Sequence, residues 1–461
     1  MMKDRSRSQM VGRLLLAVLL TLAVATGLFA DQNSPPDGFA ALFDGKSLDG
    51  WWGAKTEDPR EYMALPSEQL AEKKAASFED IKQHWRVEDG ELINDGHGLY
   101  LTTDKFYGDF ELLIDYKTVP RADSGIYLRG IPQVQIWDYT DENKFGRGAD
   151  KGSGGLWNNP PEAAGKDPLV PADKPFGKWN AFRILMVGER VTVWLNDQLV
   201  VDHARLHNFY DRKKPEAERE PLPKVGPIQL QTHGGEIRWR NVFIREIGFE
   251  EANTILASKN ASGFQSVFNG KDLTGWTGDV DSYTVKDGAI MCKPDKGGTV
   301  FTEAQYADFV VRLELQVPPG GNNGLAIRYP GSGHGTWDSF CELQVLDDGH
   351  PKYNDPEHPE FYDLKPQQTH ASVYARVAAH RGYLRPAGQW NFQENTIIGT
   401  TAKVELNGFL ILDVDVSQMD AATFMYPLER FGGRDVMNGH FGFNGHKDPV
   451  RFRNILIKRL D

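Results

Sequence analysis

Val191-Thr192-Val193-Trp194-Leu195-Asn196-Asp197 reads as a β-strand that runs into a hairpin turn. Its β-branched and aromatic side chains suit a pleated, half-buried surface. Asn and Asp tolerate the positive φ that a tight hairpin imposes, and Asn407-Gly408 offers the same chemistry later in the chain. Outward from this hairpin, short alternating runs recur, among them Phe110-Glu111-Leu112-Leu113-Ile114-Asp115-Tyr116 and Ile184-Leu185-Met186-Val187, punctuated by Gly, Asp, Asn and Pro. Their density predicts an all-β chain of packed antiparallel sheets, a β-sandwich. Helix-like sequence is confined mainly to Ser67 through His84.

The hairpin also belongs to a repeat. Leu195-Asn196 returns as Leu406-Asn407, and Gly177-Lys178-Trp179-Asn180 returns as Gly388-Gln389-Trp390-Asn391. Phe43-Asp44-Gly45-Lys46-Ser47-Leu48-Asp49-Gly50-Trp51 returns as Phe268-Asn269-Gly270-Lys271-Asp272-Leu273-Thr274-Gly275-Trp276, and Ile237-Arg238-Trp239-Arg240-Asn241 as Val450-Arg451-Phe452-Arg453-Asn454. The order is the same in both halves, so two copies of one domain are expected, over 38–248 and 264–461. A period of roughly two hundred residues is far longer than that of a solenoid, and each copy should carry its own core. The mixed, polar stretch 249–263 reads as a linker, compatible with a docked or a mobile pair. The Ser67–His84 segment is an insertion that the second copy lacks.

Basic Lys3, Arg5, Arg7 and Arg13 precede an apolar run from Leu14 to Phe29, with small residues at Ala25, Gly27 and Ala30. This is the pattern of a signal peptide over 1–30, and it predicts a periplasmic or extracellular protein with no membrane attachment after cleavage. Acidic residues outnumber basic ones by 64 to 52, and the excess is spread along the chain. That argues against nucleic acid and anionic membranes as partners and favours a neutral ligand. Only Cys292 and Cys341 occur, so no disulfide framework holds the fold, although one bridge could form. Gly45-Lys46-Ser47 lacks the upstream glycine of a phosphate loop, and neither a Gly-x-Ser-x-Gly elbow nor a His-Glu-x-x-His helix is present.

The opening Leu42-Phe43-Asp44-Gly45-Lys46, the central Ser124-Gly125-Ile126-Tyr127-Leu128-Arg129, the run Gln133-Val134-Gln135-Ile136-Trp137-Asp138, the Gly177-Lys178-Trp179-Asn180 turn and Gly226-Pro227-Ile228-Gln229-Leu230-Gln231 with His233-Gly234 form an ordered set. In that order they resemble the 3-keto-disaccharide hydrolase family, formerly a domain of unknown function, twice over. The resemblance implies a concanavalin-like jelly-roll sandwich, exported, that acts on sugars whose C3 hydroxyl has been oxidised to a ketone.

Alternation locates a candidate site independently of the resemblance. Residues two apart in a strand share a face. If Ile126, Leu128, Val134, Ile136, Ile228 and Leu230 face the core, then Tyr127, Arg129, Gln133, Gln135, Trp137, Gln229, Gln231 and His233 share the other face. The same count in the second copy gives Arg328, Glu342, Gln344, Asn444 and His446. Amide, guanidinium, imidazole and indole groups suit sugar hydroxyls and sugar rings, whereas a solvated face favours Lys, Glu and Thr.

The chemistry implied by the resemblance needs a base near C2, an acid near the glycosidic oxygen, and donors or a positive charge on the developing oxyanion. In the second copy His446 and Glu342 can supply base and acid, with Arg328 or a metal ion on the oxyanion. The first copy has Gln133 in place of Glu342, and either depends on His233 and Asp138 or only binds sugar. Asp347, Asp348, His350, Asp355, Glu357, His358 and Glu360 crowd one loop, where a divalent metal cation could find oxygen and imidazole ligands, although no compact ligand spacing is present. By the resemblance, His370 and Tyr374 lie in a segment bordering the site. Trp157, in the Gly-rich 152–159 segment, is a candidate sugar platform. Two classes of function remain open: an enzyme cleaving 3-keto-glycosides, and a tandem carbohydrate-binding, lectin-like module.

Overall fold

The computed structural model describes residues 33–460, so the signal-peptide reading of residues 1–30 lies outside the described residues. Each copy folds as a jelly-roll sandwich of an eight-stranded and a five-stranded antiparallel sheet. In the first copy the small sheet runs in the order Trp51–Ala54, Tyr100–Thr103, Gln229–Leu230, Asp123–Leu128, Ile131–Trp137. In the second copy the corresponding order is Trp276–Gly278, Gly297–Tyr306, Gly439–His446, Asn322–Tyr329, Cys341–Leu346. The alternation holds as expected. Ile126, Leu128, Val134, Ile136, Ile228 and Leu230 are buried with Phe110, Leu112 and Ile114 of the large sheet. Leu325, Ile327, Leu343, Val345, Phe441 and Phe443 meet Val311, Leu313 and Leu315 in the same way. Asn196, Asp197, Asn407 and Gly408 all have positive φ at the hairpin tips. Cys292 and Cys341 are buried free thiols, so the bridge left open by the sequence does not form.

The strands of the small sheets are buried on both faces, which period-two patterning alone does not announce. In the first copy the outer face is roofed by the insertion, helices Pro59–Met63 and Ser67–His84. Asp58 caps the first helix and Pro59 supplies a φ already suited to its opening turn. The second helix is tied down where Ser77 Oγ accepts from Gly53 N at 2.8 Å and Asp80 Oδ1 accepts from Leu99 N at 2.6 Å. Tyr62 stands edge-on to Trp52, with ring centroids 5.5 Å apart.

The stretch read as a linker is not an irregular connection. Residues Phe249–Ser258 form a helix, and Ala252 and Leu256 are buried against Leu185 and Val187 of the first copy and Phe392 of the second. Glu250, Glu251, Asn253 and Thr254 gave it a polar appearance, but Phe249, Ala252 and Leu256 recur at the three- and four-residue spacing that puts them on one helical face. The copies are therefore docked. Arg190 and Glu405 pair across the junction, and Lys259 reaches both Glu394 at 2.8 Å and Glu405 at 3.2 Å. Glu189 N donates to Gly408 O at 3.0 Å. A cleft of about 360 Å³ opens here between the large sheets, lined by Arg190, Lys259, Arg312, Glu394 and Glu405, whose charges are paired with one another.

Removing the central apolar side chain tests the docking. Leu256→Ala should cost about 2–5 kcal/mol, the usual range for a buried leucine. Calorimetry should then show a lowered first transition that separates from the second as the halves melt apart.

Candidate functional site

Cross-strand register stacks the outer face of each small sheet into three rows. In the first copy Trp137 pairs with Asp123, Gln135 with Gly125, and Tyr127 with Gln229. In the second, Leu346 pairs with Asn322, Gln344 with Gly324 and then Asn444, and Glu342 with Ala326. His446 ends the strand Gly439–His446 that carries Asn444, and His233 follows Gln231 at the matching place just beyond the strand Gln229–Leu230. The face expected from alternation is thus real in both copies, but the chemistry is distributed differently.

Glu342 is the distinctive group of the second copy. It is 3 % exposed, and its side chain lies across the neighbouring strand over Gly324, where a Cβ would sit 1.6 Å from Glu342 Oε1. Only glycine leaves that path open. The equivalent Gly125 makes the same room for Gln133. Burial pushes the Glu342 carboxyl up to about 7, against the opposing pull of Thr336 and Asn444. Glu342 Oε1 and Asn444 Nδ2 make no well-aligned hydrogen bond among the described residues, although Asn444 lies close enough to favour the ionised carboxyl, while Asn444 Oδ1 accepts from Thr299 Oγ1 at 2.9 Å. Buried polar atoms without partners are uncommon, and an acceptor and a donor facing one space form a ready polar receptor. Gln344 Nε2 donates to Asn322 Oδ1 at 3.3 Å in the adjoining row. His446 lies at the rim without a hydrogen bond to Glu342. Crowding by its surroundings and the nearby His334 push its pKa down. Tyr374 closes the other side, its N–H donating to Glu342 O at 2.9 Å.

In the first copy the reactive groups shift by two rows. His233, about half exposed, pairs through Nδ1 with Asp123 Oδ2 at 3.1 Å. Lys144 Nζ reaches the same oxygen at 3.1 Å, and Gln135 Nε2 donates to Asp123 Oδ1 at 2.8 Å. The Asp123 hydrogen bond pushes His233 up. Burial opposes the charge of Asp123, but His233 and Lys144 outweigh it and hold the carboxyl below its ordinary value. Gln133 donates to Gln135, which leaves the buried Gln133 Oε1 unpartnered, as is Gln231 Oε1. The Tyr127 hydroxyl is shared with Thr56 at 3.0 Å, and Tyr100 stands edge-on to its ring. Trp137 and Trp157 meet edge to face at 5.8 Å, with Lys144 over one ring and Lys166 over the other.

Several expected residues lie elsewhere. Arg129 and Arg328 do not join the face. Both have positive φ, 54° and 51°, which breaks the alternation at the strand end and swings the side chain away. Each is completely buried. Arg328 donates to Ala307 O, Gly399 O and Asp308 Oδ1, as Arg129 does to Gly108 O, Pro223 O and Asp109 Oδ1. These arginines clamp loops, so neither can steady an oxyanion. Arg328→Met should lower stability by about 3–5 kcal/mol, by stranding Asp308 and the carbonyls of Ala307 and Gly399. The fraction that remains folded, measured well below its melting temperature, should keep its turnover rate.

Asp138 accepts from Arg121 N and from the N–H and hydroxyl of Thr140, and so fixes a turn instead of serving His233. His370 is buried between the sheets, its Nε2 3.0 Å from Gln393 Oε1 of the large sheet, and burial pushes it down to about 4. Asp347 accepts from Gly320 N at 2.8 Å. Asp348, His350, Asp355 and His358 likewise accept backbone donors of their own loop. No group of three or more metal-ligating side chains converges among the described residues. Asp123 was the residue overlooked. It shares a face with Gly125 and Tyr127, and beginning the strand one residue earlier than Ser124 would have found it.

A family model described as the 3-keto-alpha-glucoside-1,2-lyase-like domain matches residues 38–245 and again residues 263–458. The chain belongs to this family. A 3-keto-disaccharide hydrolase of Bacteroides thetaiotaomicron is 22% identical to this chain in an alignment of 268 positions that covers 52% of this chain and 92% of the relative. Among solved structures, a candidate glycosyl hydrolase of Parabacteroides distasonis shares 25% identity, covering 44% of this chain and 96% of its own, with a TM-score of 0.39. The carbohydrate-binding module CBM66 of Bacillus subtilis shares 14%, covering 41% and 98%, with a TM-score of 0.26. Both 3-keto-alpha-glucoside-1,2-lyase-like copies keep the glycine under the row-spanning side chain and the histidine at the strand end, while they exchange Asp123 for Asn322 and Gln133 for Glu342.

Proposed function

We propose that the chain is an exported enzyme that cleaves 3-keto-glycosides by elimination followed by hydration. The observation that carries the proposal is Glu342, a buried carboxyl poised near neutrality whose free oxygen faces an unpartnered amide donor. A ketone at C3 acidifies the proton on C2. A carboxylate takes that proton, and the C–H electrons form an enolate. Its collapse makes the C1–C2 double bond and expels the C1 substituent, whose oxygen needs a proton. Water then adds its oxygen to C1 and a proton to C2. A group with a pKa near 7 is populated in both forms at neutral pH, so it can take the C2 proton and pass it to the departing oxygen, from which it exchanges with solvent, while the proton later added at C2 comes from water. Asn444 and Gln344 are the amide donors within the same rows for the developing oxyanion. In the first copy, neutral His233, oriented by Asp123, is the base, and Lys144 is the nearby cation.

The family description and the name of the Bacteroides relative support this substrate class for the chain. The deciding assay is leaving-group release from a 3-keto-glucoside beside its unoxidised parent, with and without a chelator. Cleavage of the keto substrate alone is expected. Binding of both sugars with cleavage of neither would overturn the proposal in favour of a carbohydrate-binding pair.

A further inference from the structure

The second copy carries a loop with no counterpart in the first. In the first copy the strand Asp123–Leu128 turns directly through Arg129 and Gly130 into Ile131–Trp137, whereas in the second Asn322–Tyr329 and Cys341–Leu346 are separated by the segment 330–340. This loop places Thr336 beside the Glu342 carboxyl, and the following residue, Trp337, packs against Tyr374, whose N–H donates to Glu342 O. Trp337 is the centre of an aromatic cluster. Its ring lies 6.0 Å from that of Tyr374, 5.4 Å from Tyr426 and 5.7 Å from Phe431. Gln368, itself buried, donates to the hydroxyls of Tyr374 at 3.2 Å and Tyr362 at 3.0 Å, holding two rings in place with one amide. Phe431 is buried behind Trp337, while Tyr426 and Tyr362 remain 39 % and 50 % exposed. The Arg430 guanidinium lies over the Trp337 ring at 4.7 Å, so the open ring surface beside it is that of Tyr426, which is costly to leave in water unless something covers it.

We propose that Tyr374, Trp337 and Tyr426 form a leaving-group subsite of the second copy, seating a ring with an apolar face. That ring is either a second pyranose, presenting its C–H surface, or an aromatic aglycone. Aromatic side chains bind both through broad contact at little conformational cost. The proposal rests on Glu342 acting in the cleavage, because the shelf adjoins that residue through Thr336 and Tyr374. It makes the leaving group, rather than the oxidised sugar, the part of the substrate that the second copy selects.

The test uses the full chain with the first copy silenced by His233→Ala. Tyr426→Ala and Trp337→Leu are compared on methyl, phenyl and glucosyl 3-keto-glucosides. For the phenyl or glucosyl substrate, kcat/KM should fall about tenfold per ring removed, mostly through KM, as expected when binding common to ground and transition states is lost. The methyl glycoside should change less than twofold, with an unaltered pH profile. Loss confined to the phenyl substrate would assign an aromatic aglycone, and loss confined to the glucosyl substrate a sugar. Equal loss on all three, or none on any, would overturn the proposal. Saturation-transfer NMR with unoxidised phenyl glucoside and cellobiose needs no turnover. Transfer to the leaving-group ring should disappear in Tyr426→Ala, and its persistence would refute the shelf even if no keto-glycoside is cleaved.

Discussion

Glu342→Gln, in a chain whose first copy is silenced by His233→Ala, should lower the rate of 3-keto-glycoside cleavage by about 10²–10⁴ while making the protein more stable above neutral pH. The loss follows from replacing a proton carrier with an amide of nearly the same shape. The gain follows from linkage. Glu342 ionises near 4.5 in the unfolded chain and at about 7 in the folded one. Below the unfolded value both states are protonated and there is no penalty. As pH rises from about 4.5 through 7, the unfolded chain ionises first and stability falls, by about 3 kcal/mol in full. Gln has no charge to bury, so its melting temperature should stay level across that window while that of the parent declines. An ordinary structural carboxylate would give the opposite result, with stability lost on substitution. The rate should also lose the limb that rises through about 7, where ionised Glu342 becomes available as base.

His233→Ala, made with Glu342→Gln already present, should remove what cleavage remains, by a further factor of about 10². Asp123→Asn in the same background is more diagnostic. The ion pair raises the His233 pKa, so its contribution to stability is complete below the ordinary histidine value and disappears as pH rises through the raised one. Catalysis has the reverse dependence, because the base must be neutral. Removing the carboxylate should therefore move the rising limb of the first-copy rate to lower pH while reducing its height, through loss of the ring's orientation. A limb that stays in place would show that Asp123 does not tune His233. Asp138→Asn should leave both limb and height unchanged, since that carboxylate only caps its turn.

The fold was legible because sandwich strands repeat one simple physical demand. Ile126 and Leu128 must face Phe110 and Leu112, and this fixes Tyr127 and Gln133 on the opposite face. The failures have equally local causes. Arg129 and Arg328 leave the pattern at a single backbone angle, which an arginine rarely adopts and no spacing announces. His370 and Asp138 lie in segments without a period, so nothing in the sequence says whether a loop turns toward the sheet or inserts between sheets. The docked helix was hidden by the opposite effect: polar residues interleaved with Ala252 and Leu256 obscured its apolar stripe. His446 and Glu342 lie on strands of the same small sheet without a hydrogen bond between them. Glu342 reaches over Gly324 toward Asn444, and His446 stands at the edge.

This arrangement also gives a physical account of the divergence between copies. Each has a histidine and one acidic group on the same kind of surface, but the carboxylate is beside the histidine in the first and buried two rows away in the second. The first should consequently respond to pH as a tuned imidazole, and the second as a tuned carboxylic acid.

The most direct test of C2 proton removal is to follow a 3-keto-glucoside carrying deuterium at C2. Turnover by the full chain should release the leaving group and, in step with it, transfer the deuterium to solvent, leaving hydrogen at C2 of the sugar product. Leaving-group release with the deuterium still on C2 would mean direct displacement at C1 and would contradict elimination.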